Sequence, residues 1–487
     1  MSNGQVEPIS RRDLLRGAAT GLATLALGQG AKGRAAPTRP PNIVFILADD
    51  LGYADVACYG RPDLKTSNID RLAANGVRML QAYSNSAVCT ATRVALITGR
   101  YQYRLRVGLE EPLAQNRVVG LEPEHPTLPS LLKKAGYSST LIGKWHLGML
   151  PKFGPLKSGY DHFYGFRGGA VDYYSHENPA AKDDLWDDDA PVQQGGYLTD
   201  LLGDRAVEVV GRYAKSSGPF MISLHFNAPH WPWEAPGDEA ESRRLRSEGK
   251  GLFHLDGGSQ GTYQRMIEAM DRQIGRVLAA LEAHGLTGNT LVIFTSDNGG
   301  ERFADTWPFT GKKTELLEGG LRIPAVISWP GHIPRNRTSY QVAISMDWVP
   351  TLLAAAGSAP DPAYPSDGIN LLPVLSGKAR SVSRKLYWRY KANGQRAMRD
   401  GDLKFLRILD NTFLFNVVAD PLEKANLKDR LRDDYRRMER EWYDWNETML
   451  PEIKDSFTHG LSGDEFADHY GAKQPSQEPD IPTPPEE

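Results

Sequence analysis

The 487-residue chain carries 57 Lys and Arg against 60 Asp and Glu, a formal charge of −3, with 40% hydrophobic residues and two cysteines. Such a length supplies two or three domains of roughly 100–200 residues and enough chain to bury a core. The balanced charge excludes a strongly basic nucleic-acid binder or a highly charged disordered chain, and two cysteines exclude a disulfide scaffold or a multi-cysteine zinc module.

Residues 1–36 read as an export leader. Arg11 and Arg12 precede a weakly apolar run over 17–27, followed by small residues through Ala35 and Ala36. That run is too short and too rich in Gly, Ala and Thr to cross ~30 Å of hydrocarbon. It resembles a twin-arginine signal, which implies the Tat export machinery of a bacterial envelope and a periplasmic or secreted protein; a disordered basic N-terminus is the alternative. No later window is apolar enough for an integral membrane segment. The leader has five basic and two acidic residues, and residues 451–487 have nine acidic and two basic ones, which leaves 37–450 at +1. The acidic, Pro-rich tail has too little apolar surface to offset its ordering entropy, so it is expected to be partly disordered.

The body opens with an apolar run over 42–48 that ends in Asp49 and Asp50. Similar runs recur at 138–142, 220–226, 290–295 and 325–329, and read as strands buried on both faces. Helical patterns lie between them at 69–75, 127–135 and 263–284, the last closed by Gly285. Alternation of this kind predicts an α/β fold with a large, mostly parallel sheet flanked by helices, over 37–380. From about residue 383 the pattern changes to short strands at 385–390, 395–399, 403–406 and 412–416, then a charged helix over 427–446. This predicts a smaller antiparallel sheet plus helix over 381–450, ahead of the tail at 451–487. No internal repeat is present.

Ligands in open α/β sheets bind beyond the carboxyl ends of the strands. Here those ends carry Asp49 and Asp50, Lys144 and His146, Asn227 and His230, and Asp297 and Asn298. Three carboxylates brought together repel unless a cation lies between them. Oxygen donors without cysteine suit Ca²⁺ or Mg²⁺. His146 and His230 leave zinc open in principle, but the accompanying lysines favour an anion pocket; a helix cap or turn is the alternative for the Asp pair. Cys89, read at the start of a helix, would have free backbone N–H groups around it, with Arg93 one turn on. The thiol is then a candidate nucleophile, an ordinary buried thiol, or a disulfide partner of Cys58.

The segment Cys89-Thr90-Ala91-Thr92-Arg93, followed by Leu96-Ile97-Thr98-Gly99-Arg100, resembles the signature of the type I, formylglycine-dependent sulfatases of the alkaline phosphatase superfamily. The similarity continues through Gly136-Tyr137 to Trp145-His146, Ala228-Pro229-His230, Ser296-Asp297-Asn298-Gly299, Lys313, Glu318-Gly319-Gly320, Met346-Asp347-Trp348-Val349-Pro350-Thr351, Leu414-Phe415-Asn416 and Asp420-Pro421. It therefore covers roughly residues 41–430.

This resemblance implies a sulfuric ester hydrolase, arylsulfatase-like, acting on a small-molecule or glycan sulfate ester. Cys89 would be converted to 3-oxoalanine (Cα-formylglycine) by a formylglycine-generating enzyme, and the aldehyde hydrate would attack sulfur. One Ca²⁺ per chain would be held by Asp49, Asp50, Asp297, Asn298 and the group at Cys89. Arg93 and Lys144 would hold the hydrate, while Lys144 and Lys313 bind sulfate oxygens. His230 with Lys313 would protonate the leaving oxygen, and His146 would take a proton from the second hydroxyl, expelling sulfate. Ser175 is carried over as a further substrate contact. The family's motif usually has proline where this chain has Ala91, and that proline helps the modifying enzyme recognise its target. The rivals are a phosphonate monoester or phosphodiester hydrolase of the same superfamily, and a non-catalytic sulfated-glycan binder with Cys89 unmodified.

Overall fold

A computed structural model describes residues 39–114, 116–178, 183–247 and 257–472. The expected leader and the tip of the acidic tail lie outside these residues. From Pro40 onward the chain is one compact unit, to which all the elements below belong.

Ten strands make one sheet, in the spatial order Arg337–Ser339, Val77–Met79, Ala325–Ser328, Thr290–Ser296, Asn42–Ala48, Phe220–His225, Ser138–Lys144, His162–Phe166, Trp186–Asp187 and Ala190–Pro191. The five strands from Thr290–Ser296 to His162–Phe166 are mutually parallel, as expected. Antiparallel pairs occur only towards the edges, at Ala325–Ser328 and in the hairpin after His162–Phe166.

Successive side chains of a strand point to opposite faces, so the run at 42–48 feeds two cores. Val44 and Ile46 pack with the helices Leu198–Tyr213 and Gln260–Ala283. Ile43, Phe45 and Leu47 pack with the helices Leu128–Lys134 and Trp348–Ala355. A strand covered on both sides has no solvent face, hence the unbroken apolar run. The helix Leu198–Tyr213 and the two- and three-residue edge strands were not anticipated from the sequence.

The second sheet is the expected four-stranded antiparallel meander: Lys385–Tyr390, Gln395–Asp400, Leu403–Ile408 and Asn411–Asn416. Met398, Phe405 and Leu414 on one face meet Met438 and Trp442 of the helix Arg432–Glu447, which begins five residues later than predicted. Trp388, Tyr390, Ala397 and Leu406 on the other face pack against Ala87, Val88, Ala91 and Ala95. The small sheet thus rests directly on the helix that begins at Cys89. Buried polar groups reinforce this seam. Lys404, fully buried, lies 3.1 Å from Glu318 and 2.9 Å from Glu423, and Tyr83 donates to Glu318 at 2.6 Å.

Glu111 ties the same seam further along, accepting from Lys391 N at 2.8 Å and Thr458 Oγ1 at 2.9 Å. Burial, only partly offset by these bonds, pushes its carboxyl from 4.5 up to about 7. A folded-state pKa above the unfolded one gives stability that is complete below the unfolded value and lost as pH rises through the folded value. Wild type should therefore lose up to about 3 kcal/mol more than Glu111→Gln between those two pH values. Urea unfolding at a series of pH values measures this, and parallel profiles for the two proteins would contradict it.

Candidate active site

Strand register builds the site. Ala48 pairs with Ser296, Leu47 with His225, and His225 in turn with Gly143, so four chain exits line up at one edge. Beyond the strands, Asp297 N donates to Ala48 O at 3.2 Å and Asp49 N donates to Ala228 O at 3.1 Å. Asp50 and His146 take φ values of 61° and 57° at these exits. Left-handed backbone is unfavourable for non-glycine residues and persists where the surroundings fix it. At Asp50 the fixing bonds are its own N–H to Asp297 Oδ1 at 3.2 Å and Leu51 N to Ser296 Oγ at 3.1 Å.

Asp49, Asp50 and Asp297 are each no more than 1% exposed, and each meets a cation. Lys144 Nζ donates to Asp49 Oδ2 at 2.7 Å, and Lys313 Nζ to Asp50 Oδ2 at 2.6 Å. Arg93 grips Asp297 Oδ2 through Nε at 3.1 Å and Nη2 at 2.9 Å, with Asp49 3.6 Å from Nη2. Arg93 also donates to Lys144 O, which links two of the three cations. Burial pushes the Asp49 carboxyl up, and Asp297 and Asp50 add to this against the pull of Lys144 and Arg93. At Asp50 burial is outweighed by Lys313, His230 and Lys144, and the carboxyl is held well below the usual range. Burial disfavours the Lys313 ammonium, but Asp50 and Glu301 overcome it and hold its pKa well above the ordinary value.

Cys89 opens the fully buried helix Cys89–Thr98, whose N-cap residue Val88 makes no side-chain cap, so the first-turn N–H groups are left for other partners. Thr90 Oγ1 anchors the first turn by donating to His146 O at 3.2 Å and accepting from Leu113 N at 3.0 Å. Gly99 ends the helix at φ +70, where a Cβ would meet Val349 at 2.8 Å.

The two histidines are each half committed. His146 Nε2 lies 2.8 Å from Leu113 O, and a carbonyl only accepts, so Nε2 carries the proton. Its Nδ1 is buried and has no partner. Burial first, then Lys144, lowers its pKa well below the usual value, which keeps the ring neutral. His230 Nδ1 lies 2.6 Å from Trp231 O, which leaves Nε2 to face Lys313 Nζ at 3.4 Å and Asp50 Oδ2 at 3.5 Å. Tyr173 Oη fastens this loop by donating to Asn227 O and His230 O.

Nearly all the residues expected from the sequence therefore meet. One ligand atom from each of Asp49, Asp50, Cys89 and His230 falls within 4.8 Å of the others, and Arg93, Lys144, Lys313, Asp297 and Asn298 touch this group directly. Asn298 Nδ2 donates to Asp50 Oδ1 at 2.7 Å. Asn298 Oδ1 and Asp49 Oδ1 are buried oxygens without hydrogen-bond partners among the described residues. Orphaned hard donors beside further carboxylates are what an oxygen-ligated divalent cation requires, so the residues fit such an ion.

Ser175 does not join them. Its N–H donates to Asp172 Oδ1 and its Oγ accepts from Glu177 N, so among the described contacts it is held within its own turn. Cys58 and Cys89 are both free thiols, so the disulfide alternative does not hold. Sequence reasoning missed Glu301, whose carboxylate lies 3.5 Å from Lys313 Nζ, and its only signal was a place shortly after Asp297-Asn298.

A sequence profile described as Sulfatase matches residues 41–358. N-acetylgalactosamine-6-sulfatase of Sus scrofa is 34% identical over 79% of this chain and 74% of its own length. Arylsulfatase A of Homo sapiens is 32% identical over 82% of this chain and 80% of its own. The crystal structure of Ps i-CgsB in complex with k-i-k-neocarrahexaose superposes with a TM-score of 0.77 at 29% identity, covering 86% of this chain and 95% of that one. The profile covers more than half of the chain and the relatives are 34% and 32% identical to it, and the chain belongs to the sulfatase family of sulfuric ester hydrolases.

Proposed function

We propose that the protein hydrolyses a sulfate ester carried by a carbohydrate or an aryl alcohol, with Cys89 matured to formylglycine and one Ca²⁺ bound at Asp49, Asp50, Asp297 and Asn298. The observation that carries this reading is the buried meeting of Cys89 with two carboxylates, two lysines and His230. Glycan substrates are favoured by the named relatives, one an N-acetylgalactosamine-6-sulfatase and one crystallised with a neocarrahexaose.

The matured side chain supplies an aldehyde hydrate as nucleophile, and the cation supplies Lewis acidity and positive charge. The chain's own residues do the rest. Lys144, Lys313 and Arg93 carry fixed positive charge at the strand edge in a site closed to water, where donors aimed at sulfuryl oxygens act most strongly. His230 exchanges its proton at Nε2, the nitrogen not held by Trp231 O, and with Lys313 beside it delivers that proton to the departing oxygen. His146 is neutral and offers a free lone pair at Nδ1, so it suits the base that takes the proton from the second hydroxyl of the matured residue 89. Ser175 remains a contact for substrate only if its turn rearranges.

Maturation is the first test. Peptide mass spectrometry over residues 86–93 should show residue 89 with one sulfur and two hydrogens lost and one oxygen gained. The matured protein should release sulfate from an aryl sulfate much faster than phosphate from the matching aryl phosphate. Cys89→Ala should lose at least about 10³-fold in kcat. An unmodified thiol in fully active enzyme would overturn the reading.

The leader is proposed to act through the Tat route, which moves folded proteins, so conversion of Cys89 would precede export to the periplasm or beyond. Replacing both Arg11 and Arg12 by Lys should retain the protein in the cytoplasm of a bacterial host. Undiminished export would contradict the proposal.

A further inference from the structure

Lys313 reaches Asp50 and His230 from a turn, whereas Asp49, Asp297 and Lys144 sit at strand ends. That turn is strained. Thr314 has φ +75, a conformation that a β-branched residue rarely adopts, and its Oγ1 is buried without a hydrogen-bond partner among the described residues. Within the turn, Glu315 N donates to Lys312 O at 3.0 Å and Lys312 N donates to Glu315 Oε2 at 2.7 Å, and bonds from outside the turn add to these.

Three elements outside the turn hold it in place. Lys313 N donates to Gly300 O at 2.9 Å, behind Asp297 and Asn298, and Thr314 N donates to Ala87 O at 2.9 Å, ahead of Cys89. The third hold comes from the small sheet. Gln395, 1% exposed and first in its strand, donates from Nε2 to Thr314 O at 2.9 Å and accepts at Oε1 from Leu316 N at 2.9 Å. A longer contact runs from Nε2 to Ala392 O at 3.4 Å. The carboxamide therefore brackets Glu315, two residues after Lys313, with its donor on the Thr314 carbonyl and its acceptor on the Leu316 N–H. Only an amide of this length satisfies both groups. A carboxylate would set an acceptor against Thr314 O, and an apolar chain would leave both backbone groups buried and unpaired.

We propose that Gln395 is a positioning residue for sulfate-ester hydrolysis: it fixes the strained turn that delivers Lys313 Nζ to the leaving-group side, which makes the small C-terminal sheet part of the catalytic apparatus. The inference rests on the role given above to Lys313. A tie that merely joined the two sheets would affect stability and leave the chemistry to scale independently of Lys313.

The test is a double-mutant cycle on the matured enzyme with an aryl sulfate, using Gln395→Met, Lys313→Met and the combined variant. Gln395→Met should lower kcat by about 10²-fold, the scale of an ångström of misplacement, with a smaller rise in KM, since Lys144 still binds sulfate oxygens when Lys313 is displaced. In the Lys313→Met background the same change should alter kcat by less than about twofold, because the side chain it positions is gone. If Gln395→Met does not yield folded protein, Gln395→Asn, which keeps an amide too short to span both groups, is read in the same cycle. Independent, multiplying losses would overturn the positioning role, as would a kcat within about twofold of wild type for the single variant. Full turnover in Lys313→Met alone would refute the role of Lys313, and that failure is separately visible because it needs no change at Gln395.

Discussion

Three carboxylates buried side by side are the constraint on which the rest of this structure depends. Asp49, Asp50 and Asp297 lie at the ends of neighbouring strands, out of contact with water. An unpaired buried charge is strongly destabilising, and like charges at contact distance make it worse. Each carboxylate therefore needs a partner, and the three cations come from three different elements: Lys144 from the sheet, Arg93 from the buried helix and Lys313 from a turn. Holding that helix and that turn in place is then a condition of burying the acids. Thr90, Gly99 and the small sheet serve that condition.

How much of this was legible followed from distance along the chain. Strands buried on both faces leave continuous apolar runs, and such runs end where polar residues begin, so Asp49, Lys144 and Asp297 could be read directly. Arg93 followed from its four-residue spacing from Cys89. Ser175 lies in a turn organised by Asp172, which accepts from the N–H groups of Tyr174 and Ser175 and from Ser242. That arrangement depends on a residue almost seventy positions away. Gln395 and Lys404 left no local signal, since each acts through a contact between segments that only the fold brings together.

The charge balance takes on a different sense at this scale. The net charge of −3 comes from the ends of the chain, and the body is almost neutral. Attraction for an anionic ester is therefore local. Two lysines and an arginine are bound to carboxylates in the structure, and a divalent cation sharing those carboxylates would free their positive charge for an anion. Residue 89 lies buried beside that cluster, at the start of a helix without a side-chain N-cap.

Whether a cation completes this cluster is the central claim, and thermal unfolding in calcium against chelator tests it most directly. Calcium at a hundredfold excess over its dissociation constant should stabilise the wild-type protein by about 3 kcal/mol, seen as a higher melting temperature. The increment should shrink or vanish in Asp50→Asn. Identical melting of the wild-type protein with calcium and with chelator would contradict the account.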